Sequence, residues 1–215
     1  MRRTVGALTV IIAVACAGLS ARQHDTPSTP KPKPAMAKPG AGDQAKIRDA
    51  MSAAPADIAK NATIMDWPDK PGMPMKQLRA GTNGWMCMPS TGVGGGVGAD
   101  PMCLDKAFSE WAEAYMSKKD PHVTTMGTAY MLRGDKGASN TDPFAQARTA
   151  DNNWVVTGPH IMVLLPNPSQ LDVYPADPHA GGPWVMWKGT KYAHLMVPTA
   201  SMAKAAPANK ATSKK

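Results

Sequence analysis

The sequence predicts an α+β fold: a single domain with a mostly antiparallel β-sheet, one main amphipathic helix and one disulfide. Three observations carry that prediction. One segment, from about Leu104 to Lys118, sets Phe108, Trp111, Ala112, Tyr115 and Met116 at three- and four-residue spacing, so one face of a helix is apolar. Several shorter apolar runs are punctuated by Gly, Pro and Asn turns, the pattern of short strands. Cys87 and Cys103 are the only cysteines beyond the N-terminal leader.

That leader is MRRTVGALTVIIAVACAGLSA. Arg2 and Arg3 precede an apolar run from Val5 to about Leu19, closed by small residues, which is the layout of a secretory signal over residues 1–21. The run is too short and wrongly flanked for a membrane span. Its processing admits two readings. Ala15-Cys16-Ala17 offers ordinary cleavage, while Ala13-Val14-Ala15-Cys16 also reads as a lipoprotein box that would lipidate Cys16. Either outcome removes Cys16 from the thiol count and sends the mature chain to the periplasm or cell surface. In that oxidising compartment Cys87 and Cys103 form a disulfide by default, closing a loop of about sixteen residues. A metal or redox site is the weaker rival, since no C-x-x-C spacing and no nearby histidine accompany them.

Residues 22–42 collapse to Pro, Lys, Ala, Ser and Thr, and read as a disordered tether with polyproline II character. Residues 200–215 form a similar Ala/Lys-rich tail. The globular domain is therefore 43–199. Within it, Asp43 to Ala53 starts a helix that Pro55 interrupts, and Ala62 to Trp67 is a short strand. Lys76–Arg79 and Trp85–Met88 flank Ala80-Gly-Thr-Asn-Gly84, whose Asn-Gly signals a hairpin. A glycine loop runs between the cysteines. After the main helix come strands at Val123–Leu132 and Trp154–Leu165, separated by a polar loop at Gly134–Asn153. Pro183–Lys188 and Lys191–Val197 make the last hairpin.

The formal net charge is +8, but the basicity sits in the tails. Residues 43–198 carry fourteen Lys/Arg against fifteen Asp/Glu, a formal net of −1. A nucleic-acid-binding domain carries its positive charge on the folded surface, so nucleic acid is not an expected partner. Membrane contact is expected only through a lipid on Cys16 or a weak electrostatic touch of the tail.

The strongest local chemistry lies in the two histidine strands. Period two puts His160 with Met162, and Tyr192 with His194 and Met196, each set on one face. A two-residue turn at Gly189-Thr190 would oppose Trp187 to Tyr192 and Val185 to His194, gathering Trp187, Tyr192, His194 and Met196. Two H-x-M pairs, His160/Met162 and His194/Met196, offer imidazole plus thioether, a soft set suited to copper and above all Cu(I). With sixteen methionines in the chain, core packing is the competing account.

The loop Gly134–Phe144 groups Asp135, Ser139, Asn140, Thr141 and Asp142, oxygen donors for a cation or polar ligand, or simply turn formers. Ser139 or Thr141 with His160 or His194 as general base and Asp142 would supply the residue types of a hydrolase, without any nucleophile-elbow motif. Gly94, Gly96 and Ala99 fit a dinucleotide fingerprint only formally, because no βαβ unit follows. His24, His122 and His179 carry no argument of their own.

Arg79-Ala-Gly-Thr-Asn-Gly-Trp-Met-Cys87, Asp100-Pro-Met-Cys-Leu-Asp105, Ser139-Asn-Thr-Asp-Pro-Phe144, Thr157-Gly-Pro-His-Ile-Met-Val163 and Val185–Pro198 resemble a family of uncharacterised exported bacterial proteins. The resemblance spans about residues 60–198 and implies a single extracytoplasmic domain with the disulfide, but no activity. The expected function is a small-ligand-binding module using the His160/His194 face with Trp187, Tyr192, Asn140 and Asp142. A hydrolase, a copper protein and a structural envelope protein are the alternatives.

Overall fold

The computed structural model describes residues 40–70, 72–91 and 99–199. The leader with Cys16, nearly all of the tether, most of the glycine loop and the tail lie outside the described residues, as do the expectations attached to them. Among the described residues three α-helices occur, α1 (Ala41–Met51), α2 (Ala56–Ala59) and α3 (Lys106–Met116), with one 3-10 turn at Pro168–Leu171. The strands are β1 (Thr63–Asp66), β2 (Lys76–Arg79), β3 (Met86–Met88), β4 (Met102–Leu104), β5 (Gly127–Met131), β6 (Ala138–Ser139), β7 (Trp154–Val155), β8 (His160–Leu164), β9 (Trp184–Met186) and β10 (His194–Pro198).

Eight strands build one sheet in the order β2-β1-β3-β4-β5-β8-β10-β9, and β6 pairs with β7 as a separate ribbon. All neighbours are antiparallel except β1 and β3. The α+β class, the mostly antiparallel sheet and the disulfide are thus as predicted. Cys87 and Cys103 face each other directly across β3 and β4, with Cα atoms 4.0 Å apart.

Strand alternation divides the core between two faces. Cys87, Cys103, Ile64 and Leu78 pack under Ile47 and Ala50 of α1. On the opposite face Met88, Leu104, Ala129, Leu164, Trp184 and Met196 pack with Phe108 and Trp111 of α3. Asp105 fixes that helix at its start: one carboxylate oxygen accepts from the Phe108 N–H at 2.8 Å, the other from Thr128 at 2.6 Å. One side chain therefore caps α3 and ties it to β5.

Four local expectations need correction. The helix begins at Ala41, so the last residues assigned to the tether form its first turn. β2 and β3 do not pair as a hairpin; β1 lies between them, antiparallel to β2 and parallel to β3. The Gly81–Trp85 segment instead crosses the start of β1, with Thr82 N–H donating to Asn61 and Thr63 N–H to Trp85. Trp154–Leu165 is not one strand, because β7 leaves the main sheet to pair with β6 before β8 begins. Finally, the last hairpin is slipped by one residue: His194 opposes Met186 and Leu195 opposes Val185. Trp187 adopts a left-handed backbone (φ 55°), and two successive turns, Trp187–Thr190 and Thr190–Ala193, replace the two-residue turn.

Candidate functional site

β8 and β10 are neighbours, and their register sets Met162 directly opposite Met196 and His160 opposite Pro198. Both H-x-M pairs therefore lie on the same face of adjacent strands, the face covered by α3. His160 is 0% and His194 1% exposed. The two imidazoles are held in the same way. Nδ1 of His160 donates to the Gly158 carbonyl at 2.7 Å, and Nδ1 of His194 to the Tyr192 carbonyl at 3.0 Å. With Nδ1 carrying the proton, each Nε2 presents a lone pair, and neither Nε2 has a hydrogen-bond partner among the described residues. The indole N–H of Trp184, whose strand position faces Met196, is also unpartnered.

His194 is ringed by aromatics, with centroids of Trp187 at 5.0 Å, Trp111 at 5.3 Å and Phe108 at 6.2 Å. Burial in that apolar cage lowers its pKa to about 4, only partly offset by the Tyr192 carbonyl. His160 is lowered for the same reason, against the opposing pull of the Gly158 carbonyl and the Asp135 carboxylate. Asp135, itself largely enclosed, is raised by burial despite hydrogen bonds from Thr157 and Gly137.

Trp187, Tyr192, His194 and Met196 do gather, as expected, even though the register differs. Val185 does not join them; it packs with Leu195 on the opposite face. Trp187 is pinned by two bonds to the polar loop, its indole N–H to Ser139 and its backbone N–H to Asn140. The Tyr192 hydroxyl donates to Lys119 just beyond α3. Trp187, Tyr115 and Phe144 stack in series, with interplanar angles of 18° and 6°. This face is enclosed core, and the histidines line neither of the two concavities described below.

The polar loop spends its oxygens on its own backbone. Asp135 Oδ1 accepts from Gly137 and Thr157, Asp142 Oδ1 from Phe144, and Ser139 Oγ from Thr141 and Asp142 while donating to Asn152. Among the described residues no Ser or Thr hydroxyl is hydrogen-bonded to either imidazole, so the residues expected for a hydrolase are not joined there. Asp142 is exposed and has no hydrogen bond to either histidine among the described residues; its charge is felt at Tyr115, whose pKa is raised first by burial and then by Asp142. Among the described residues no three His, Cys, Asp or Glu side chains converge to hold a metal.

What the loop does build is one wall of an open cavity of about 700 Å³. Asn140, Thr141, Arg148, Asn153 and Trp154 come from the loop and the β6–β7 ribbon; Ala176, Asp177, His179 and Lys188 come from the segment around β9. Asn140 joins the two walls. Its side-chain N–H donates to Ala176 at 2.8 Å and its carbonyl accepts from Trp187, while its own Oδ1 is buried and unpartnered. Lys188 Nζ is bonded to the Asp172 and Tyr174 carbonyls. The Arg148 guanidinium has no ion pair or hydrogen bond among the described residues. Of these residues Asn140 and Thr141 are also expected site residues. Arg148, Lys188, His179 and Trp154 were not legible as a group, because they are far apart in sequence and belong to no motif.

A second groove, of about 840 Å³, is lined by Trp67, Met73, Met75, Met86, Met88 and Met116 with Glu110 and Glu113 at its edge. No family model, curated protein or solved structure matches this chain.

Proposed function

We propose that this chain is an exported small-molecule-binding module whose ligand is a small polar anion held in the Arg148 cavity. The observation that carries the reading is the charge of that cavity: Arg148 and Lys188 line it against a single carboxylate, Asp177, among the described residues. A guanidinium without an internal partner is suited to a carboxylate or phosphate, which it can grip through two parallel N–H donors. The cavity volume of about 700 Å³ suits a small ligand rather than a polymer. Trp154 offers a flat apolar wall for the ligand's body, and the Asn140 side chain braces the cavity through its bond to the Ala176 carbonyl. In this reading the His160/His194 face is the packing that holds the cavity's back wall through Trp187.

Export is supported by the leader composition and agrees with the disulfide. A thermal-shift screen of small carboxylates, phosphates and neutral sugars tests the proposal. An anion is expected to raise the melting temperature, and Arg148→Gln to abolish the rise. Stabilisation by neutral sugars alone, or by no compound in the panel, would count against it.

A further inference from the structure

We propose a second site, independent of the Arg148 cavity: the methionine-lined groove beside α3 holds a linear amphiphilic cation, an ammonium head on an apolar chain. Three parts of the fold build it. The connection from β1 to β2 contributes Trp67, Met73 and Met75, the sheet contributes Met86, Met88 and Leu104, and α3 contributes a stripe from Lys106 to Ser117. At 1.5 Å rise per residue that stripe covers roughly 16 Å, long enough for a ten-carbon chain and its head group. Met73 and Met116 are 52% and 56% exposed, so the groove leaves large apolar side chains in water.

The lining matches both parts of such a ligand. Thioethers are flexible and polarisable, so they follow an alkyl chain without imposing a fixed shape. Met88 and Leu104 are buried at the floor, while Met75 and Met86 are half-buried. Both β3 and β4 have a sheet neighbour on each side, so the floor presents side chains rather than a free ladder edge. A bound peptide would set its own N–H and C=O groups against sulfur and hydrocarbon that cannot satisfy them, a cost that an alkyl chain does not carry. The charge comes from α3. Lys106 is ion-paired to Glu110, whereas the Glu113 carboxylate has no ion pair or hydrogen bond among the described residues. One negative charge on the lining is therefore left uncompensated. Trp67 adds a ring fixed by its indole N–H, which donates to the Pro89 carbonyl at 2.7 Å, and the face of an indole attracts an ammonium group.

Calorimetric titration of the full chain with decyltrimethylammonium, below its micelle-forming concentration, tests the site. The comparison ligand is decyldimethylamine oxide, which has the same chain and no net charge. One ammonium per chain is expected, bound about fivefold more tightly than the amine oxide, the worth of one exposed ion pair. Glu113→Gln is expected to remove that preference and leave amine oxide binding unchanged. Shortening the chain from decyl to octyl is expected to weaken binding by about tenfold, through the loss of two buried methylenes. Met73→Gln/Met116→Gln, at exposed positions, is expected to weaken both ligands by about tenfold with near-UV circular dichroism unchanged. Arg148→Gln is expected to change neither. Absence of stoichiometric binding, equal affinity for the two ligands, a preference that persists in Glu113→Gln, or no dependence on chain length each overturns the proposal. Tighter binding of a Lys/Pro-rich peptide, or self-association abolished by Met73→Gln/Met116→Gln, assigns the groove to a polypeptide and overturns it as well.

Discussion

His194 shows how one residue links packing to pH. Its folded pKa of about 4 lies below the ordinary value of 6.5 because its cage disfavours charge. The unfolded chain therefore binds more protons between these values, and stability rises with pH across that window. The contribution is complete above pH 6.5 and lost as pH falls to about 4, a difference of about 3 kcal/mol. His160 acts in the same direction, whereas Asp135, with a raised pKa, acts in the opposite one. Denaturant unfolding of wild type and His194→Asn between pH 4 and 7 checks this; the variant should have the flatter profile, and equal slopes would contradict the assignment. At this scale the sequence was partly legible. Period two was enough to bring His194 and Met196 together, because alternation survives a change of partner strand; Tyr192 lies before β10, in the Thr190–Ala193 turn. Trp187 joined them for a reason that alternation does not encode, a left-handed backbone held by Ser139 and Asn140.

Among the elements, those defined by local signals were readable and those defined by non-local pairing were not. The helix α3 follows from its apolar spacing and the Asp105 cap. The insertion of β1 between β2 and β3 depends on a parallel pairing that no turn residue announces. Gly81 makes the crossover possible: a Cβ there would lie 2.1 Å from the Thr63 backbone nitrogen. Gly81→Ala should therefore cost about 3 kcal/mol, measured by urea unfolding, since backbone rather than a side chain must yield. A cost below about 1 kcal/mol would show that the crossover is looser than described. Next to it, the Cys87–Cys103 bridge joins facing residues sixteen apart in sequence. Its reduction should remove roughly 3 kcal/mol by freeing the unfolded chain. For a domain of this size that is a fall of about 10 °C in Tm, readable by calorimetry with and without reductant.

For the whole molecule, the α+β class was legible because few helical periods and many short strands bound the answer before any pairing is known. The cavity was not, because its residues come from the polar loop and from the segment around β9, which only the fold brings together. Their convergence is what gives a domain with little net charge a local concentration of positive groups. The binding reading rests on that concentration, and calorimetric titration of the best anion from the screen into wild type and Arg148→Gln tests it most directly. The account predicts one site per chain, weakened by rising salt and by at least about tenfold in the variant, the loss of one charge-assisted contact. Equal affinity in the two proteins would contradict it.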